Sequence, residues 1–340
     1  MISTIYDVAK LAGVSTATVS RVLNRTGNVS PDTEKKVYSA MQMLNFTPNA
    51  LAQNFAHNKS SIIGFMTSIQ RSFPDDPDVD TTTSIFHSEL FRGINAIMER
   101  EGINLLVINS KDNMEHDIVT MFKQKKIDGL IIGHLPDDTA TFRALIESKM
   151  PIVYIGHIHN YNKGLHVYAE YNQYLNTVLE YFYQTGHRKV FFICMREPDI
   201  LIREWEDMGF FSHRKMEVIF VYKNMDQRAL HETMKASFGQ PNPPTGIFSE
   251  LISDIQPIIS TLTSLNLKVP EDVSLVSVEH ILDQGTQFYP QLTDIHVPVV
   301  EMGKASIQLL LDYMNGKITP EEYDREVVIH SPLLIRKSSI

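Results

Sequence analysis

The sequence predicts an α/β protein with a small helical domain at its N-terminus, and three observations support this class. Residues 1–60 contain three short helical patterns and no strand pattern. After residue 60, apolar strand-like runs alternate with amphipathic segments, which is typical of parallel sheets covered by helices on both faces. The 340 residues exceed one ordinary domain, and the strands are too many for one small sheet, so the body should divide into two lobes.

The N-terminal head should form three helices. Residues 5–11 fit a short helix that Gly13 ends. Ser15 is a good N-cap for a second helix that extends to about Asn24. Ser30 followed by Pro31 is a typical start for the third helix, because serine caps and proline suits the first helical position.

The first two helices have the spacing of a helix-turn-helix. Ala9 is a small residue four positions before Gly13, and Val19 is an apolar residue six positions after it. The small residue lets the helices approach, and the glycine permits a left-handed turn. In such a motif the second helix enters the major groove of DNA. A three-helix core with no DNA role is the alternative interpretation of this pattern.

The outer face of the second helix carries residues suited to DNA. Arginine can bind guanine in a bidentate manner, and threonine and alanine methyl groups can contact thymine, so the expected base contacts are Thr16, Ala17 and Arg21. Short hydroxyl and amide side chains suit phosphate oxygens, which gives the expected phosphate contacts Ser15, Thr18, Asn24, Ser30 and Thr33. The head has six lysine and arginine residues against three acidic ones, whereas the body has 25 against 37. A polyanion should therefore bind at the head.

These residues resemble a known family. DVAKLAGVS, TVSRVLN, NVSP and PNALA are similar to the DNA-binding head of the lactose-repressor (LacI/GalR) family of bacterial transcription regulators. The resemblance implies a homodimer whose paired heads read a palindromic double-stranded operator. It also implies a hinge that inserts an apolar side chain into the minor groove, at Phe55 with Ala56 beside it. A plain linker with Phe55 packed on the body is the alternative.

The resemblance extends into the body through ELFRGI, KKIDGLII, TGHRKVFFI, VPEDVSLVSVE and SPLLIRKSS. It implies a two-lobe, periplasmic-binding-protein-like body with an effector in the cleft between the lobes. The expected domains are a helix-turn-helix domain at 2–46, a hinge at 47–60 and an effector-binding and dimerisation domain at 61–340. Lobe one should comprise 61–158 and 293–320, and lobe two 159–292 and 321–340.

The expected pocket departs from the family pattern. A common Asn-Asp pair is replaced by Ser249-Glu250, and a common Asp-Asn pair by Glu170-Tyr171. Sugar sites need a few precisely placed polar groups, so these changes predict an unusual effector or none. The candidate effector-binding residues are Phe86, Glu170, Arg203 and Glu279. A long polar insertion at 67–84 is expected to be a surface loop.

Several classes of function find no support in the sequence. The single cysteine, Cys194, excludes a disulfide scaffold and a cysteine-based zinc finger. His157, His159 and His166 lack the supporting ligands of a zinc motif, so no metal is expected. Motifs for nucleotide cofactors and serine hydrolases are missing, so we expect no cofactor and no enzymatic activity. The sequence contains no signal-peptide pattern and no 18-residue apolar run, which predicts a cytoplasmic protein without a membrane segment.

The sequence therefore predicts a sequence-specific DNA-binding transcriptional repressor controlled by a small molecule, a sugar or a related metabolite, in the interlobe cleft. Two alternatives remain open. One is a ligand-independent or partner-controlled DNA-binding regulator with a degenerate pocket. The other is a cytoplasmic sugar-binding protein or enzyme that retains the head as a relic.

Overall fold

The fold is given by a computed structural model. It describes residues 3–24, 26–47, 60–67, 81–109, 115–133, 144–156, 163–194, 198–207, 215–222 and 227–340. Within these ranges, the head and the body are described separately below.

The head consists of three helices, as the sequence predicts. They are α1 (Ile5–Ala12), α2 (Thr16–Asn24) and α3 (Pro31–Met43). Thr4 caps α1 in a reciprocal capping box with Asp7, and Gly13 ends it with φ 68°, the left-handed conformation expected of this turn. The three helices bury a small apolar core made of Val8, Ala9, Val19, Val22, Val37 and Ala40.

This core shows the helix-turn-helix spacing of Ala9, Gly13 and Val19. Val19 is fully buried, and Ala9 is 5% exposed. The amide of Val14 donates to the carbonyl of Ala9, so the left-handed turn at Gly13 closes directly on the small residue. Local sequence signals therefore determine the head almost completely.

The body contains two six-stranded sheets. The first has the order β11-β5-β4-β3-β1-β2 and the second the order β12-β10-β9-β8-β6-β7. The first sheet is formed by β1 (Ile62–Thr67), β2 (Asn104–Asn109), β3 (Gly129–Ile132), β4 (Ile152–Ile155), β5 (Leu165–Ala169) and β11 (Arg325–Ile329). The second is formed by β6 (Lys189–Cys194), β7 (Glu217–Tyr222), β8 (Gly246–Ser249), β9 (Ser274–Glu279), β10 (Thr293–His296) and β12 (Leu333–Leu334).

Parallel pairing dominates both sheets. In the first, β1–β3, β3–β4, β4–β5 and β5–β11 are parallel. In the second, β6–β7, β6–β8, β8–β9 and β9–β10 are parallel, whereas β12 runs antiparallel to β10. Parallel strands buried on both faces explain the continuous apolar runs in the sequence.

The helices of the body are α4 (Thr81–Glu101), α5 (Glu115–Lys123), α6 (Tyr171–Gln184), α7 (Pro198–Asp207), α8 (Gln227–Phe238), α9 (Ile255–Ser264) and α10 (Val299–Met314). Two of them, α4 and α10, cross at a pair of glycines, Gly93 and Gly303. A Cβ placed on Gly93 would overlap the carbonyl oxygen of Val300 and lie 3.1 Å from the Cα of Gly303. The two helices can approach this closely because neither carries a side chain at the crossing.

The strand assignment corrects the expected lobe boundaries. Because β5 and β11 complete the first sheet, its chain continues to Ala169 instead of leaving at residue 158, and it returns at 325–329. Because β10 pairs with β9, residues 293–296 belong to the second sheet, although the sequence placed them in lobe one. The crossings between sheets therefore follow Ala169, His296 and Ile329.

The last residues of the chain are bound into the second sheet. The carbonyl of Ser338 accepts from the amide of Leu275, and the Ser338 hydroxyl donates to the carbonyl of Leu275. The amide of Thr293 donates to the same hydroxyl at 2.8 Å. The amide of Ile340 donates to the hydroxyl of Ser274 at 3.1 Å. The segment 336–340 thus fastens the end of the chain to the beginnings of β9 and β10.

Candidate functional sites

The outer face of α2 places the expected base-contacting residues at the surface. Ala17 and Arg21 are exposed, and Thr16 is half-buried. On the opposite side of the same helix, Val19 and Val22 are buried in the head core. Because the apolar side is anchored, Arg21 projects from a fixed backbone. The helix therefore presents a small, methyl-bearing and cationic face of the kind that reads base edges.

The loop after α2 lies beneath the arginine. Its turn is closed by the amide of Thr26, which donates to the carbonyl of Arg21 at 3.0 Å. Gly27 has φ 77°, and a Cβ there would lie 3.7 Å from the Cδ of Arg21. The aliphatic part of the arginine thus extends past this glycine.

Two matching hydroxyl pairs lie at the N-termini of α2 and α3. The Ser15 hydroxyl accepts from the amide of Thr18 and lies 2.9 Å from the Thr18 hydroxyl. The Ser30 hydroxyl accepts from the amide of Thr33 and lies 2.8 Å from the Thr33 hydroxyl. Each pair has two O–H groups and uses one in the mutual bond, so one O–H per pair can donate outward. This arrangement suits a phosphate oxygen near a helix N-terminus.

Three of the expected DNA-contacting side chains lie outside the described residues. They are the side chain of Asn24 and the hinge residues Phe55 and Ala56. The expected histidine pair, His157 and His159, lies outside them as well.

In the body, Phe86 lies where the two lobes meet. It belongs to α4 of the first lobe, and its ring forms an edge-to-face contact with the ring of His280, which follows β9 of the second lobe. The ring centroids are 5.8 Å apart at an interplanar angle of 87°. His87 makes a similar contact with Phe86 at 5.7 Å. Ligands of parallel α/β sheets bind beyond the carboxyl ends of the strands, which is where His280 lies.

Glu279, by contrast, is fully buried. Its carboxylate accepts from the amides of Asp283 at 3.1 Å and Gly285 at 3.0 Å. One carboxylate oxygen also lies 3.3 Å from Nδ1 of His296 and 3.8 Å from Nη2 of Arg336. Burial by itself would raise the pKa of Glu279, but the hydrogen bonds from His296, Gly285 and Asp283 and the charge of Arg336 together lower it. In this arrangement Glu279 is a structural anion instead of an open ligand contact.

The second acid of this cluster, Asp294, was not identified from the sequence. It is fully buried on β10 and accepts a hydrogen bond from Nη1 of Arg336. Burial, followed by the nearby charge of Glu279, raises the pKa of Asp294 to about 8, although Arg336 acts in the opposite direction. Arg336 lies in the terminal stretch SPLLIRKSS, whose family resemblance was the signal that could have pointed to it.

The other two effector candidates lie apart from this cluster in the sequence and in their contacts. Glu170 follows β5, and its carboxylate lies 2.8 Å from Nδ1 of His330, just after β11. Arg203 is an exposed residue of α7. Ser249, which belongs to the pair that replaces the family's Asn-Asp, faces inward. Its hydroxyl is fully buried and donates to the Asp254 carboxylate at 3.0 Å. None of these contacts joins the four expected residues into one site.

Two further searches concern only the described part of the chain. Within it, no helix combines the length and apolar character needed to cross a membrane. No cluster of three or more metal-ligating side chains is found there either.

Comparison with known families identifies both parts of the chain. Residues 4–49 match the model for bacterial regulatory proteins of the lacI family. Residues 179–339 match the model for a periplasmic binding protein-like domain. The HTH-type transcriptional repressor PurR of Photobacterium profundum is 29% identical, over 99% of this chain and 98% of the relative. Catabolite control protein A of Priestia megaterium is 27% identical, with 92% of each protein covered.

Solved structures show the same fold over the full length. A lac repressor dimer bound to operator and the anti-inducer ONPF matches with a TM-score of 0.79 and 21% identity, with 99% of each chain covered. The transcriptional regulator CelR in complex with cellobiose matches with a TM-score of 0.64 and 19% identity, again over 99% of each chain. The chain therefore combines a lacI-family helix-turn-helix head with a periplasmic-binding-protein-like body, and the relatives that it matches over nearly its full length include transcriptional repressors.

Proposed function

We propose that this protein is a repressor that binds a palindromic operator as a homodimer through the outer face of α2. The observation that carries this proposal is the exposed Arg21 and Ala17 on a helix whose other side is anchored in the head core. The hydroxyl pairs at the N-termini of α2 and α3 support it, because they offer outward donors to the phosphates flanking the groove. A protein with this role acts in the cytoplasm and needs no catalytic chemistry.

The operator contacts divide into two groups. Arg21, Ala17 and Thr16 would read bases, and the serine and threonine pairs, with Asn24, would fix the register on the backbone. Phe55, with Ala56 beside it, would enter a central minor-groove step and bend the DNA. Two heads are required, because one head covers only one half-site.

The first lobe offers apolar surface for the dimer. Phe91 on α4 is 42% exposed, and Leu106 and Val107 are exposed on β2, the edge strand of the first sheet. The neighbouring residues Ile94 and Met98 are instead buried. Within Phe91–Met98, the proposed interface therefore includes only the outward side of α4. We propose that the region 114–125 contributes to it as well.

An effector would bind between the lobes, near Phe86 and His280. CelR was solved with cellobiose, and a LacI-family regulator from Enterococcus faecium, which matches 82% of this chain, was solved with ribose. We propose a sugar or related metabolite for this chain as well. Glu170 and Arg203 remain candidates for contacts to it.

Operator recognition can be tested by selecting sites from a random DNA library and measuring affinity for the selected operator. Arg21→Ala should weaken binding by about 1–3 kcal/mol and relax the preference at one guanine of each half-site. Arg21→Lys should restore charge but not the bidentate preference. Lys36→Ala serves as the control, because Lys36 is an exposed cation of α3 paired with Asp32 at 3.2 Å. Equal weakening on all DNA sequences would make Arg21 a phosphate contact.

A second candidate function is regulation without a small-molecule effector. The burial of Glu279, which leaves no open carboxylate at this position, favours it. Thermal-shift screening with sugars, sugar phosphates and nucleosides separates the two functions. A true effector at about 100 times its Kd stabilises the protein by roughly 2.7 kcal/mol. A screen with no shift, combined with intact operator binding, would support the effector-free regulator.

A further inference from the structure

The loop that follows β9 connects the buried acid cluster to the other lobe. It begins with His280, whose ring contacts Phe86 of the first lobe, and it ends at Gly285, whose amide donates to Glu279. Within six residues, this segment therefore contacts both an aromatic ring of the first lobe and the buried carboxylate of Glu279.

The anchor end of this loop is tightly determined. Asp283 has φ 64°, a left-handed conformation that is unfavourable for a residue with a side chain, and its amide is held by Glu279. A Cβ on Gly285 would overlap the carboxylate of Asp294 and lie 2.7 Å from Nη1 of Arg336. The loop thus keeps one conformation as long as the carboxylate of Glu279 and the side chain of Arg336 stay in place.

The other end of the loop meets α4. Besides the Phe86 contact, α4 packs against the 3-10 helix Ile252–Asp254 of the second lobe. The helix continues to Gly93, where it crosses α10, and exposes Phe91 on its outer side. A change at the His280 contact would therefore act on a helix that also contributes to the proposed dimer surface.

We propose that Glu279 is a positioning residue that fixes the loop 280–285, and that His280, through its ring contact with Phe86, is a group by which the second lobe holds α4 of the first. The proposal rests on the proposed function only where it concerns the effector, which would act between the lobes by displacing this contact. A ligand shifts a conformational equilibrium only through different affinities for the two states, and displacement of this contact supplies such a difference.

The experiment measures hydrogen exchange at backbone amides 85–95 of α4 in the full-length protein without effector. His280→Ala should speed exchange in α4 by about three- to tenfold, the amount expected for the loss of one aromatic contact. His280→Phe keeps an aromatic ring and should restore exchange close to the parent rate. Leu282→Ala is the matched control, because Leu282 is an exposed residue of the same loop.

Glu279 is tested in the same assay. Glu279→Gln should speed exchange both in 281–286 and across the cleft in α4. Ser277→Ala is its control, because Ser277 is a buried residue of the same strand whose hydroxyl donates to the carbonyl of Ser249. A purely structural role for Glu279 would give both variants the same exchange pattern, with α4 unchanged relative to the rest of the first lobe.

Operator affinity is measured in parallel on the selected DNA. If the parent protein and His280→Ala exchange identically in α4, the proposed contact has no role, even if operator binding is intact. If the parent protein binds no DNA sequence specifically, the proposed repressor function fails, and the exchange result still decides the role of His280.

Discussion

The cluster around Arg336 makes a specific prediction about pH. Glu279 and Asp294 are both fully buried and face a single arginine, so the pair should retain a proton near neutral pH. Asp294 carries that proton in the fold, because its pKa is raised to about 8. In the unfolded chain an aspartate releases its proton near pH 4. At any pH between about 4 and about 8, unfolding therefore releases about one proton from Asp294.

The sign follows from the raised pKa. The stabilising contribution of protonated Asp294 is complete below about pH 4 and is lost as the pH rises towards 8. One proton corresponds to about 1.4 kcal/mol of unfolding free energy per pH unit. Between pH 5.5 and 7.5 the protein should therefore lose about 2–3 kcal/mol through this group.

Asp294→Asn is the perturbation that isolates this effect, because asparagine resembles the protonated acid and cannot titrate. The difference in unfolding free energy between variant and parent is measured by urea denaturation at pH 5.5, 6.5 and 7.5. Titratable groups distant from Asp294 contribute equally to both proteins and cancel. The variant should gain about 2–3 kcal/mol relative to the parent over this range. Asp272→Asn, which removes an exposed carboxylate of the same lobe, should show no such change.

A constant difference between Asp294→Asn and the parent across this pH range would refute the reasoning. It would mean that Asp294 is already ionised in the folded protein at pH 5.5.

Three further outcomes are expected. Gly93→Ala should lower the free energy of unfolding by about 1–3 kcal/mol in urea denaturation, although alanine favours an isolated helix, because its Cβ would force α4 away from α10. Gly285→Ala should abolish the pH dependence assigned to Asp294, because its Cβ displaces the carboxylate; an unchanged slope in the same denaturation series would contradict this. Phe55→Ala should reduce operator affinity and DNA bend angle while Phe55→Leu retains most of both, as measured by gel mobility of circularly permuted operators; an unchanged bend would make Phe55 a packing residue.

The head could be predicted from the sequence because its signals are local. Ser15 and Ser30 were expected as helix caps, and both accept the amide three residues later. Gly13 was expected to adopt a left-handed turn and does. Each of these features depends on residues within about one helical turn, so no knowledge of the distant chain is required.

The body was predicted less completely because its decisive contacts join distant residues. The strand β6 is a continuous apolar run, and its positions from Val190 to Cys194 are all buried, as expected for a strand between two parallel neighbours. In contrast, β11 has mostly exposed positions at a sheet edge, and its pairing with β5 spans about 160 residues. β11 begins with two exposed charged residues, Arg325 and Glu326, so it lacks the continuous apolar run of a buried parallel strand, and neither the strand nor the lobe boundary could be recognised.

The candidate site was also predicted incompletely, because its contacts join residues that are distant in the sequence. Glu279 was expected to contact an effector because the family resemblance places an acidic residue at this position, but its orientation depends on Arg336, 57 residues later, and on His296 of the neighbouring strand. His280 was not considered, because only the folded chain brings it to Phe86. A sequence pattern can indicate that a residue lies at a strand end, but not which way its side chain turns.

The placement of 325–340 has a consequence for synthesis of the protein. β11 is an edge strand of the first sheet and β12 an edge strand of the second, so each lobe lacks one of its edge strands until these residues have left the ribosome. The head, whose described apolar core lies within its first 46 residues, can fold much earlier. During translation a nascent chain would then carry a finished DNA-binding head on an unfinished body whose open edges are prone to aggregation. Operator binding by such a chain would be limited by the body, since the second head of the pair can be supplied only after the last strand has paired.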